Sequence, residues 1–411
     1  MISSGYYLLD EYMKYSNTIY ALLVGNPKYM PECIKNNSRI FFSSNYDVDG
    51  ISKDIMCIGI KFKYIFCIDD KFVDRIGDIS KKTGILTFQI SGQITRDKYL
   101  LKQYLKKNDI LYPITQVFMN YSEVKNCKNI SFPVVLKPSN SYGSNGVFLV
   151  KTREELLQYS KRIFMQNMIH RKYYHDGIGQ LLCEEYISGD EYAVDVIWND
   201  GIPICTMISS RLHNVVGNMF PDYVYYIDKD LSSEKKDEIT RIVHSVGHAI
   251  GIQYGVTHTE LREMNEKLYV LENAVRPGGG GCMYELHRNK TQIEYFNMYM
   301  DTMMSKKINF YLRDEKKITS GYYFFLTYAN SNFGKVKEIG IREDELSEKI
   351  EIYNKHFLIS PGEIIIPNED GMQYTIFVFG IIYANEKKEF IKLITVLNDA
   401  CYIITEEEMK I

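Results

Sequence analysis

The stretch Gly255–Gly281, GVTHTELREMNEKLYVLENAVRPGGGG, constrains this chain more than any other. Two runs in it alternate polar and apolar residues, His258–Arg262 and Leu268–Glu272, on either side of the polar break Met264–Lys267. Alternation of period two reads as half-buried strand, and Asn265 tolerates the unusual backbone angles of a tight turn. Folded as an antiparallel hairpin, the runs bring Glu260 to within about one residue of the register of Glu272. Two carboxylates that close repel each other unless a positive charge compensates them. A divalent cation does so, because Mg²⁺ takes one or two carboxylates and completes its shell with water and phosphate oxygens. Arg276 follows, with a planar fork suited to a phosphate or a carboxylate. Pro277 and four glycines come next, where backbone can approach a ligand closely. A surface hairpin with an acidic edge is the alternative reading of this stretch taken alone.

Length and charge narrow the field. A chain of 411 residues exceeds one ordinary core, so two or three domains are expected. The net charge of −3 and the absence of a basic block argue against a nucleic-acid partner. No apolar run approaches the roughly 18 residues of a membrane span, and Asp10 and Glu11 interrupt any signal-peptide core, so no membrane partner is expected. Eight cysteines without a CxxC pair read as reduced thiols, and the expected location is the cytoplasm.

At the N-terminus, apolar runs at Thr18–Val24, Arg39–Ser43 and Tyr64–Ile68 alternate with helical patterns over 51–61 and 72–82. That order predicts an open parallel α/β sheet. Gly25-Asn-Pro27 stands where a dinucleotide loop would need further glycines, which disfavours a nicotinamide dehydrogenase. Thr95 reads as the cap of a following helix with Lys98 in its first turn, where a cation opposes the helix dipole; this singles Lys98 out.

Two hairpins lie between. Val134–Leu136 and Val147–Val150 flank a small polar loop whose backbone N–H groups at Gly143, Ser144, Asn145 and Gly146 can receive phosphate oxygens, with Lys137 at its base. The order is not that of a P-loop. Further on, a strand delivers Glu184, Glu185, Tyr186 and Ile187 to a turn, and Glu191 opens the next strand. Such a turn can mimic a base-pairing edge for adenine, and Glu191 can accept from ribose hydroxyls. An ordinary polar hairpin is the alternative in both cases.

These pieces, in this order, resemble the ATP-grasp superfamily. The resemblance rests on Lys98, a V-x-K-P strand and glycine loop at Val135–Gly146, an E-E-Y-I-x-G-x-E hinge at Glu184–Glu191, and H-x-E with E-x-N-x-R-P-G-G at His258–Glu260 and Glu272–Gly279. It implies an α/β chain in three parts. These are an N-terminal Rossmann-like open α/β domain (1–93), a two-lobed α+β ATP-grasp domain (94–310, with a lid over about 130–190) and a small β-rich C-terminal domain (311–411). It also implies roles: Lys98 and Lys137 on the α- and β-phosphates, and Gly143–Gly146 closing over them. Glu184, Tyr186 and Ile187 would line the adenine pocket, Glu191 would hold the ribose, and Glu260 and Glu272 would ligate Mg²⁺ or Mn²⁺. Arg276 would stabilise the transferring phosphoryl group. The family's asparagine falls on Ala274, with Asn273 one place too early, and a one-residue slip turns a strand side chain to the opposite face.

The tail resembles the C-terminal domain of the bacterial L-amino-acid ligases, a carboxylate–amine ligase branch, and not D-alanine–D-alanine ligases or biotin carboxylases. The implied reaction uses ATP to convert a carboxylate to an acyl phosphate, which an amine then attacks. The carboxylate is expected near Arg276 and Gly278–Gly279, with Arg211 and His213 on the substrate side. The alternatives are an amine carried on an acyl carrier protein or borne by a secondary-metabolite intermediate and, in another class, an ATP-binding protein without ligase activity. A homodimer is the default assembly.

Overall fold

The computed structural model describes residues 1–3, 9–25, 34, 36–68, 70–141, 143–173, 179–212, 218–304, 308, 320–330, 334–365 and 373–406. The N-terminal part is built on β1 (Ile2–Ser3), β2 (Ala21–Val24) and β3 (Ile40–Ser43), all parallel, with α1 (Leu9–Tyr15) between the first two. The run Tyr64–Ile68 joins this sheet through an isolated parallel bridge, Cys67 to Ile2, and bridges outward from Tyr64 to Leu86. Helix α2 (Val48–Cys57) starts at Asp47, whose side chain accepts the Gly50 N–H, and α3 (Ile76–Thr83) stops at the left-handed Gly84. Ile51, Ile55, Ile76 and Ile79 recur at helical spacing and pack with Leu22 and Val24 on one face of the sheet.

A short helix α4 (Gly92–Arg96) leads into α5 (Lys98–Lys107). The cap of α5 is Asp97, which accepts the N–H groups of Tyr99 and Leu100, so Thr95 is not the cap and Lys98 is the first helical residue. The shift follows from the carboxylate, which competes well for orphan N–H groups.

The next layer is a four-stranded antiparallel sheet in the order β4 (Thr115–Phe118), β7 (Leu181–Glu185), β5 (Val134–Pro138), β6 (Phe148–Val150). Two helices belong to it: α6 (Tyr121–Asn126) and α7 (Arg153–Tyr173). Leu156 and Ile163 of α7 close its core against Leu136, Phe148 and Leu181.

The centre of the molecule is an eight-stranded antiparallel sheet. Its order is β12 (Lys267–Ala274), β11 (Gly255–Met264), β8 (Glu191–Asn199), β9 (Ile202–Leu212), β10 (Val224–Ile227), β13 (Tyr322–Asn330), β17 (Gln373–Ile382), β15 (Ile350–Phe357). Alternation along β8 sends Tyr192, Val194, Val196 and Trp198 to α8 (Ser233–Ile250), where they meet Ile239, Val243 and Val246. Glu191, Ala193 and Asp195 face the other way. Three strands of the C-terminal segment therefore extend the central sheet, while β14 (Gly334–Ile341), β16 (Ile364–Ile365) and β18 (Cys401–Thr405) form a small sheet of their own. Helix α11 (Lys387–Ala400) packs Phe390, Ile394 and Leu397 against Tyr226, Tyr322 and Phe324. Helices α9 (Cys282–Thr291) and α10 (Tyr295–Met303) follow the glycine turn and carry apolar residues onto the central sheet. The described cysteines are all free, and among the described residues no helix is long and apolar enough to cross a membrane.

Candidate active site

The hairpin forms as the alternation predicts. Asn265 and Glu266 sit at φ 52° and 60° in a two-residue turn, and β11 and β12 pair with Glu260 directly opposite Glu272. A register shift follows Glu260, so the two carboxylates lie at an irregularity of the ladder. Both line a cavity of about 520 Å³ bounded by the N-terminal part, the four-stranded sheet and the central sheet. Their side chains are 25% and 29% exposed, whereas Lys98 and Lys137 beside them are buried.

Protein cations balance each carboxylate. Glu260 has His258 Nε2 at 3.6 Å and Arg211 Nη1 at 3.8 Å. Burial works to raise the pKa of Glu260, but the neighbouring His258 and the Arg211 charge outweigh it and draw it down to about 2. Burial likewise opposes protonation of His258, yet Asp195, 2.5 Å from Nδ1, lifts its pKa to about 9. Asp195 also accepts the Gly278 N–H at 2.9 Å and so ties the glycine turn to β8. Opposite Glu272, Lys98 Nζ stands 3.3 Å from Oε2 and donates to the Ser141 carbonyl at 2.7 Å. Burial lowers the pKa of Lys98.

The glycine loop is held by this same corner. Arg96 Nη1 also donates to Ser141 O, and the Lys98 N–H donates to Ser139 O at 3.0 Å. Gly143, Ser144 and Gly146 all adopt positive φ, which turns the chain tightly between β5 and β6. Gly143 and Ser144 line the cavity; Asn145 and Gly146 do not.

Glu184 lines the cavity and is paired on both oxygens. Its Oε2 lies 2.9 Å from Lys137 Nζ and its Oε1 3.0 Å from Lys102 Nζ, all three side chains buried. The carboxylate thus holds two lysines at the cavity wall. Burial would raise its pKa, but the two ammonium groups keep it below the usual range, and burial presses Lys102 down to about 8. Glu185, Tyr186 and Ile187 line the cavity beside it. Glu191 is also gripped: Arg211 Nη1 donates to Oε1 at 2.7 Å, and Arg262 Nε donates to Oε2. Arg211 is therefore a buried structural cation that reaches the cavity with Asp222 on its other side. His213 lies outside the described residues. Arg276 donates from Nη2 to Asp70 Oδ2 at 2.5 Å, so a residue of the N-terminal part aims the fork. Gly279 lines the cavity, and Gly278 stands behind it on the His258–Asp195 pair.

Asp70, Lys102, Asp195, Asp222 and Arg262 escaped the sequence reading. A signal existed for two of them, since Asp195 interrupts an apolar strand and Lys102 falls among the apolar positions of its helix.

The metal expectation fits the donors present. Two opposed, partly exposed carboxylates suit Mg²⁺, which leaves its other positions to water and phosphate. Among the described residues no group of three His, Cys, Asp or Glu is placed to hold a metal. Ala274 is the partner of His258, and Asn273 points the other way, donating to Thr259 Oγ1 at 2.8 Å.

Residues 130–285 match the ATP-grasp domain family model. The matched stretch holds the glycine loop, the Glu184–Glu191 turn and the acidic hairpin. It is 27% identical to a D-alanine–D-alanine ligase of Haemophilus ducreyi over 57% of this chain and 79% of that protein. It is 25% identical to dapdiamide A synthase of Enterobacter agglomerans over 51% of this chain and 49% of the relative. The crystal structure of an L-amino acid ligase from Bacillus licheniformis superposes with a TM-score of 0.80 over 99% of this chain and 98% of that one, at 18% identity, which establishes a shared fold.

Proposed function

We propose that this chain is an ATP-dependent ligase that joins a carboxylate to an amine through an acyl phosphate. The observation that carries the reading is the opposition of Glu260 and Glu272 in one cavity with Lys98, Lys137 and the Asp70-aimed Arg276. A carboxylate oxygen of the substrate attacks the γ-phosphorus, and the bond to the β-phosphate oxygen breaks to release ADP. The amine nitrogen then attacks the acyl carbon, loses a proton, and phosphate leaves. Phosphoryl transfer asks a protein chiefly for positioning and charge neutralisation.

Lys137, fixed by Glu184, and Lys98, at the start of α5, supply fixed positive charge to the phosphates. Mg²⁺ held by Glu260 and Glu272 would neutralise phosphate charge. Tyr186 and Ile187, which line the cavity, would flank the purine, and Glu191, already gripped by two arginines, would shape the wall beside it. Arg276 meets the charge of the activated carboxylate. The glycine loop, latched to Lys98 and Arg96 through Ser141, excludes water from the acyl phosphate.

The test is release of ADP and phosphate by purified protein with ATP and Mg²⁺ against pairs of amino acids. Release that needs both, with a product of their summed mass less water, supports the ligase. Tight ATP binding with no release in any pool would instead favour an ATP-binding protein, the reading to which Ala274 lends its one observation.

A further inference from the structure

The cavity does not end at the charged groups. Across the central sheet, Arg262, Glu191, Arg211, Tyr225, Phe325 and Phe379 are successive register partners through β11, β8, β9, β10, β13 and β17. On one face of one sheet, a row thus passes from ion pairs to stacked rings. The Tyr225 and Phe325 ring centroids are 6.0 Å apart, and the Phe325 and Phe379 centroids 4.6 Å, both stacked. Phe377 meets Phe325 edge-on at 5.1 Å and lines the cavity with Tyr225, Phe325 and Thr327. No step of the proposed reaction uses this wall. Its rings stand on β10, β13 and β17 of the central sheet, whereas Glu184 and Glu185 end β7 of the four-stranded sheet.

At the junction of the two halves stands Asp222. Its Oδ1 takes both Arg211 Nη2 and the Tyr225 hydroxyl, the latter at 3.0 Å, and its backbone N–H is fixed by the Tyr374 hydroxyl at 2.8 Å. The side chain is nevertheless 28% exposed and lines the cavity. Arg211 beneath it is shared between Glu191 and Asp222 Oδ1 and is covered by the Tyr225 ring, 5.2 Å from its centroid. What the cavity meets here is an anion at the rim of an aromatic wall.

We infer that this half of the cavity binds one substrate of the ligase, an amino acid with a large apolar side chain, its ammonium on Asp222 and its side chain against Phe325 and Phe377. The inference rests on the ligase reading for the role of the bound molecule, but not for its recognition. Burying a benzyl or isobutyl group on rings rewards size, and a carboxylate beside the rings rewards an amine. The C-terminal strands β13 and β17 are then specificity elements of the active site.

Direct binding tests it on the full chain with ADP and Mg²⁺ present. By calorimetry, L-phenylalanine should bind at least about tenfold tighter than glycine, and about tenfold tighter than 3-phenylpropionate, which has the ring without the amine. Phe377→Ala should erase the first margin, Phe377→Leu should retain most of it, and Asp222→Asn should erase the second. ADP affinity of each variant serves as the fold control. Equal binding of phenylalanine and glycine by the wild-type chain, or margins indifferent to these substitutions, would overturn the assignment. ADP release is followed in the same samples. Selective binding without turnover in any amino-acid pair keeps the pocket and removes the ligase reading; turnover indifferent to side-chain size does the reverse.

Discussion

Asp195 and His258 lie 2.5 Å apart, Oδ1 to Nδ1, and the other oxygen of Asp195 accepts the Gly278 N–H. One buried carboxylate thereby fixes both the imidazole beside Glu260 and the glycine turn after Arg276. A Cβ on Gly278 would come within 2.5 Å of His258 Nδ1 and 2.9 Å of Asp195 Oδ1. Gly278→Ala should therefore displace the pair, lowering stability by about 1–3 kcal/mol and turnover more than ADP binding. An unchanged melting curve and unchanged kcat would refute the close approach.

Glu260 and Glu272 should be non-redundant. Glu272→Gln removes one of two opposed carboxylates but leaves an isosteric amide near Lys98. We expect kcat to fall on the order of 10²-fold or more, with the Mg²⁺ concentration for half-maximal rate shifted upward. Titration of Mg²⁺ against rate checks this, and a variant with the wild-type Mg²⁺ dependence would exclude the pair as the cation site.

Lys102 acts through Glu184 on Lys137. Lys102→Met leaves Glu184 with one cation in a buried site, at a cost of about 1–3 kcal/mol. The KM for ATP should rise severalfold while kcat at saturation changes less. If KM is untouched and only stability falls, Lys102 is merely structural.

Asp70 aims Arg276 from the N-terminal part of the chain. Asp70→Asn keeps the shape and removes the charge, so kcat should drop by about tenfold with little change in ATP affinity. Equal kcat in variant and wild type would disconnect the N-terminal domain from the chemistry.

His287 gives a pH signature. It is buried against Ser209 Oγ at 2.9 Å, and burial lowers its pKa from 6.5 to about 4. Between those values the unfolded chain binds more protons than the native one. The contribution of the neutral ring is therefore whole above pH ~6.5 and is lost as pH falls toward ~4, with a ceiling of roughly 3 kcal/mol. Thermal midpoints at pH 7 and pH 5 should fall further for the wild-type chain than for His287→Gln. Parallel losses would place the sensitive group elsewhere.

Much of the site was legible in the residues. Glu260 and Glu272 could be paired because period-two alternation and a short Asn-containing break leave few registers. The same parity argument put Asn273 on the far face, where it bonds Thr259, and Ala274 on the near one. Helix boundaries were less secure: Asp97 replaced Thr95 as a cap because two good caps stood within three residues and only the path of α4 chose between them.

Residue order along the chain settles the local structure: which runs are strands, which face each side chain takes, and which glycine loops can turn. Backbone geometry and burial of alternate residues fix these over a few positions. The partners of these side chains are chosen by long-range packing. Asp70 meets Arg276 across 206 positions, Glu184 meets Lys102, and Phe325 of the tail joins Arg211 on one sheet. Such pairs form because sheet order and layer packing bring distant segments together, and the charge of a buried group is then settled by whichever neighbour arrives. Periodicity carries no record of that.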